Sequence, residues 1–134
     1  MKIPIEDRLA IHELLTRLYL ALDGHSPEDF ASFFTVDGVF CAIYGEYKGR
    51  QAIAGFIAEH IKKGAEDHAR HLLTNLVVEE LESSPLVRCY VTKIRLEPPP
   101  ITIVAYAGLQ ARMVKENASW RIGRLDLSIT LTPA

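Results

Sequence analysis

From Arg70 to Leu131 the sequence is strand-forming material, broken in three places. Residues 70–81, 86–96, 101–115 and 120–131 read as strands, rich in Val, Ile, Leu, Thr and Tyr. Glu82-Ser83-Ser84-Pro85 and Glu116-Asn117-Ala118-Ser119 read as turns. Pro98-Pro99-Pro100 cannot donate to a ladder, so it is read as a loop. Consecutive strands joined by short connections pair antiparallel, and the small residues Ala105, Ala107, Gly108 and Ala111 let the long strand bend. A curved antiparallel meander is therefore half of the fold.

The half before it is mostly helical. Residues 5–23 place Ile11, Leu14, Leu15, Leu18 and Leu22 at helical spacing, with Pro4 and two acids at the start and Gly24 as the stop. Tyr19 and Asp23 lie beside that stripe. Ser26-Pro27-Glu28-Asp29 predicts a capped second helix that ends near Thr35 and carries Phe30, Phe33 and Phe34 into the core. Asp37-Gly38 reads as a turn, Val39 to Ile43 as a short strand, and Tyr44 to Gly49 as a loop or small hairpin. Residues 50–63 predict a third helix with Ile53, Phe56, Ile57 and His60 on one face, followed by a loop from Gly64 to Asp67. Helices first and a meander afterwards is an α+β arrangement: three N-terminal helices packed on a curved, mainly antiparallel sheet. The chain of 134 residues is the size of a single domain, 1–134.

Within the meander, the run Arg70-His71-Leu72-Leu73-Thr74-Asn75-Leu76-Val77-Val78 carries the chemistry. Strand alternation puts His71, Leu73, Asn75 and Val77 on one face and Leu72, Thr74, Leu76 and Val78 on the other. Both faces are largely apolar, which predicts that both are covered. An imidazole and an amide among aliphatic residues mark either the wall of a binding cavity or a core with two satisfied polar groups. His60 on its apolar helix face reads as a core or edge histidine. Asp67, His68 and His71 do not suit a shared metal, because His68 and His71 point to opposite faces of a strand that includes both. No metal or other cofactor is expected.

Charge and hydropathy exclude several classes. The net charge is −2 and the fifteen Lys and Arg form no long run, so neither a nucleic-acid footprint nor a membrane patch is expected. No apolar run approaches the ~20 residues that span a bilayer. Met1 to Arg8 lacks the apolar core of a secretory signal, and Cys41 and Cys89 read as separated free thiols. The expected compartment is the cytoplasm.

The order of elements resembles the cone-shaped barrel of the nuclear transport factor 2-like superfamily, and the residues resemble its SnoaL-like group. The resembling stretches are Ile11 to Asp23 with Tyr19 four before Asp23, Asp29-Phe30 through Phe33-Phe34-Thr35 to Asp37-Gly38-Val39-Phe40, Gly49-Arg50 with Ile53 and Phe56, His71-Leu72 with Thr74-Asn75, and Trp120-Arg121-Ile122. They cover about residues 5–130. Within the superfamily the chain looks closest to the scytalone dehydratase branch, and to the small subunits of ring-hydroxylating dioxygenases. The dehydratase resemblance implies loss of water from a small cyclic hydroxyketone, with Asp23 and His71 as the working pair. Tyr44 lies close to one of that family's two orienting tyrosines, whereas Leu22 stands at the other. The family's second histidine has no counterpart in residues 86–97, and Ala107, Leu109 and Ala111 stand where polar residues are expected.

Two functions follow as expectations. One is a small lyase or isomerase acting on a hydrophobic cyclic hydroxy or keto compound. Asp23 and His71 are its catalytic candidates, and Tyr19, Phe40, Tyr44, Phe56, Leu73 and Asn75 its substrate-binding candidates. The other is a non-catalytic ligand-binding cone, or a structural subunit like those of the dioxygenases. The resemblance further implies a homodimer formed through the sheet.

Overall fold

In a computed structural model, described here for residues 2–81 and 84–131, three helices cover one face of a six-stranded mixed sheet. The helices are α1 (Ile5–Asp23), α2 (Pro27–Ser32) and α3 (Arg50–Lys62). The strands are β1 (Phe34–Ala42), β2 (Gly45–Lys48), β3 (Ala69–Glu80), β4 (Pro85–Arg95), β5 (Thr102–Glu116) and β6 (Ser119–Leu131). Their spatial order is β2-β1-β6-β5-β4-β3. The meander β3 to β6 is antiparallel throughout, β2 pairs antiparallel with β1, and β1 joins β6 in parallel. Residues 82 and 83 of the turn read at Glu82–Pro85 lie outside the described residues.

The apolar stripe of α1 does what its spacing requires. Ile11, Leu14, Leu15, Leu18, Tyr19 and Leu22 are all buried against the sheet. Each fully buried aliphatic side chain stabilises the fold by about 1.5–3 kcal/mol. The helix stops at Gly24, whose N–H donates to Leu20 O. Across the core, Phe30, Phe34 and Phe40 form a mutually contacting aromatic trio, with centroids 5.8–6.3 Å apart.

Three local readings change. The second helix ends at Ser32 rather than near Thr35, because Phe34 already pairs with Ile122 in the sheet. Ser26 occupies the N-cap position, yet its side chain makes no capping hydrogen bond. The expected turn at Asp37-Gly38 is an irregularity within β1, where the register against β6 shifts between Phe34 and Val39. A Cβ on Gly38 would lie 3.0 Å from both Ile122 O and Phe34 Cβ. Glycine there lets β1 and β6 close up.

The opening strand of the meander also departs from simple alternation. Asn75 has φ +55°, and the register of β3 against β4 shifts between Thr74 and Val77. One extra residue in one strand reverses the facing of everything beyond it. Leu76 and Val78 therefore turn toward the core, while Asn75 and Val77 face out. The outer face of the sheet has no cover among the described residues, since all three helices lie on the other side. Leu72, Tyr90 and Tyr106 stand 47%, 60% and 52% exposed there.

Candidate active site

Between the helices and the inner face of the sheet lies a cavity of about 270 Å³. Most of its wall is aromatic and aliphatic, as small-molecule sites usually are. Tyr19, Phe40, Tyr44, Phe56 and His71, all singled out in the sequence, line it. Asp23 stands behind the His71 ring, and both side chains are nine-tenths buried. Leu73 is half-buried and does not reach the cavity wall. Asn75 does not join the site: beyond the bulge it lines a separate groove on the outer face with Val77 and Tyr90.

The last turn of α1 and the first residues of β3 bring Asp23 and His71 together. Asp23 Oδ1 lies 2.7 Å from His71 Nδ1, and Oδ2 accepts the backbone N–H of His71 at 3.2 Å. One carboxylate therefore binds both the ring and the chain that carries it. An ionised carboxylate can only accept, so Nδ1 carries a proton and the neutral ring keeps a bare Nε2. The Tyr19 ring packs against this imidazole with centroids 5.1 Å apart. Burial pushes the Tyr19 phenol far above its ordinary range, with Cys89, Glu66 and Asp23 adding to the shift, so its hydroxyl stays protonated. That hydroxyl has no hydrogen-bond partner among the described residues.

The structure adds a group that sequence reasoning missed. Glu66, read only as part of a loop, is 3% exposed and lines the cavity. Its Oε2 takes an ion pair from Lys93 Nζ at 3.0 Å and lies 3.6 Å from His60 Nε2. Its Oε1 lies 3.8 Å from His71 Nε2. Lys93 also donates to Ala65 O at 2.6 Å, and His25 Nε2 meets Glu66 O at 3.1 Å. The residues just after α1 and the C-terminal end of β4 thus hold this loop from two sides. A single acid in a short loop resembles any solvated acid, so nothing local distinguished it.

His60 also lines the cavity, against Tyr44 and Phe56 at centroid separations of 5.3 and 5.2 Å. Burial holds its pKa below the ordinary imidazole value. Lys93, Lys63 and His71 work the same way, and Glu66 opposes them. His68 turns away and approaches Glu97 at 3.4 Å, so it shares no site with His71.

An α+β cone with a buried Asp–His pair beside an apolar cavity is the nuclear transport factor 2-like, cystatin-like fold. The chain belongs to the SnoaL-like domain family, whose profile matches residues 4–126. Solved structures agree on the fold. A protein of unknown function with a cystatin-like fold from Nostoc punctiforme superposes with a TM-score of 0.88 at 21% identity, covering 97% of this chain and 96% of that one. A nuclear transport factor 2-like protein from Novosphingobium aromaticivorans gives 0.86 at 23% identity, over 97% and 86%. A proposed scytalone dehydratase from the same organism gives 0.76 at 21% identity, over 97% and 90%. No curated protein matches the chain. No described helix is long and apolar enough to cross a membrane.

Proposed function

We propose that the protein is a cofactor-independent lyase or isomerase that moves a proton beside the carbonyl of a small hydrophobic cyclic hydroxy or keto compound. The observation that carries this reading is the double hold of Asp23 on His71, which leaves Nε2 on the cavity side of the ring. A general base must present a bare, oriented lone pair at the substrate, and an imidazole titrates close to the pH at which such bases work. In the proposed reaction His71 Nε2 takes the α-proton, and Asp23 stabilises the imidazolium without itself taking the proton. The proton is then returned, either to carbon in an isomerisation or to a departing hydroxyl in a dehydration. Catalysis of this kind contributes on the order of 10²–10⁴-fold. Phe40, Phe56 and Tyr44 supply flat walls for a ring.

The test is α-proton exchange on a panel of cyclic ketones, followed by proton NMR in deuterium oxide, with His71→Ala as the control. Exchange that is faster for the wild type than for the variant is the expected result. Equal rates sink the proposal.

A second reading, a cone that binds without turnover, is favoured by one feature. Ala107, Leu109 and Ala111, buried along β5, offer no polar group to orient a substrate. Ligand binding with no exchange would select it. The apolar outer face of the sheet supports a homodimer, which we infer buries Leu72, Tyr90 and Tyr106. The two free cysteines, Cys41 and Cys89, support a reducing, cytoplasmic setting.

A further inference from the structure

At one end of the apolar cavity, two polar atoms of deeply buried side chains have no hydrogen-bond partner among the described residues. They are Glu66 Oε1 and the Tyr19 hydroxyl, on residues 3% and 4% exposed. Buried polar groups are nearly always paired, and leaving a charged one unpaired is expensive. Both residues line the cavity, so the natural partner of each is a ligand group.

The chemistry of each atom limits that group. Lys93 Nζ donates to Glu66 Oε2 at 3.0 Å, and the other oxygen of a carboxylate paired with an ammonium offers lone pairs, so Oε1 is an acceptor. The Tyr19 phenol stays protonated and can donate. Glu66 Oε1 and His71 Nε2 are 3.8 Å apart. Two hydrogen bonds of about 2.8 Å meeting at one oxygen easily span that gap. A ligand hydroxyl can donate its one proton to Oε1, and its oxygen can accept from His71 Nε2 once the ring has taken the α-proton, whereas an ether or a second carboxylate cannot donate to Oε1.

We infer that Glu66 is the hydroxyl-anchoring residue of this site: it accepts the O–H of an uncharged, ring-bearing ligand and turns that oxygen toward His71 Nε2. This rests on the proposed dehydratase or isomerase reading and adds the residue that selects for a hydroxyl. In a dehydration, the proton His71 takes from the α-carbon would pass to the anchored oxygen. The C–H electrons form the new double bond, the C–O pair leaves with oxygen, and water departs. Glu66 only accepts a hydrogen bond and neither gains nor loses a proton in this sequence.

The test uses β-naphthol and its methyl ether as probes, with binding to the folded protein measured by titration calorimetry near neutral pH. The wild type should prefer the naphthol by about tenfold or more, the range for a hydrogen bond to a charged acceptor. Glu66→Gln should reduce that preference to within about threefold. Glu66→Asp keeps the charge available to Lys93 and withdraws the carboxylate by one methylene, and it should lose the preference too. Equal binding of the two probes by the wild type, or a wild-type preference retained by Glu66→Asp, overturns the inference. Hydroxyl preference without ketone exchange would defeat only the catalytic proposal. Exchange without hydroxyl preference would defeat only this one.

Discussion

Asp23 and His71 touch twice, once through the ring at 2.7 Å and once through the His71 backbone N–H at 3.2 Å. The second contact fixes the carboxylate against the chain rather than against a side chain that could rotate. The ring then has little freedom to change either its orientation or its tautomer.

This makes Asp23→Asn informative. An amide can turn its NH₂ toward Nδ1 and force the other tautomer, which puts the proton on Nε2 and removes the base from the cavity. Ketone exchange should fall by about 10²–10⁴-fold, while the fold is kept. Nitrogen NMR of the His71 ring should show the proton moving from Nδ1 to Nε2. An unchanged tautomer with full activity would contradict the assigned role of Asp23.

The Glu66–Lys93 pair makes a stability prediction. Both partners are largely buried, at 3% and 16% side-chain exposure. Lys93→Met leaves a buried carboxylate without its cation and should destabilise by about 3–5 kcal/mol. Combining it with Glu66→Leu removes both charges and should recover much of that loss. Urea unfolding of the two single variants and the double variant reads the coupling. Simple additivity would mean that the pair does not act as a unit.

His60 sets a pH dependence. Burial holds its folded-state pKa below the unfolded value of about 6.5. As pH falls, the unfolded chain therefore takes up this proton first, so protonation favours unfolding. Stability from this group is fully present above about pH 6.5 and declines below it. Thermal melts should show the wild type losing Tm more steeply than His60→Gln as pH drops from neutral. Parallel slopes would show that the linkage lies elsewhere.

The exposed face of the sheet makes the last prediction. Tyr90 and Tyr106 project from neighbouring strands, with Tyr90 opposite Gly108 and Tyr106 opposite Thr92. The proposed dimer places them at its centre. Sedimentation at micromolar concentration should give a dimer for the wild type and a monomer for Tyr90→Lys/Tyr106→Lys. A wild-type monomer would refute the pairing.

Much of the fold was legible in the chain because the signals were periodic. The α1 stripe from Ile11 to Leu22, the stop at Gly24 and the four strands of the meander follow from spacing and turn chemistry that neighbouring residues carry. The resemblance then directed attention to Asp23 and His71. Asn75 was misplaced because alternation extrapolates facing from residue to residue, and the bulge that reverses it leaves no periodic trace. Covering of both sheet faces was also expected, but apolar content alone cannot say which face receives the helices.

By itself, then, the sequence determined the element order, the apolar lining from Tyr19, Phe40, Tyr44 and Phe56, and the presence of a titratable pair at the ends of α1 and the start of β3. Only the tertiary structure decided that Glu66 completes the polar end of the cavity. Its partner Lys93 lies 27 residues away on β4, and its Oε1 stands 3.8 Å from His71 Nε2. A loop acid has no periodicity to betray it. Its burial and its ion pair arise when β3 and β4 pair and bring Lys93 to the loop from Gly64 to His68.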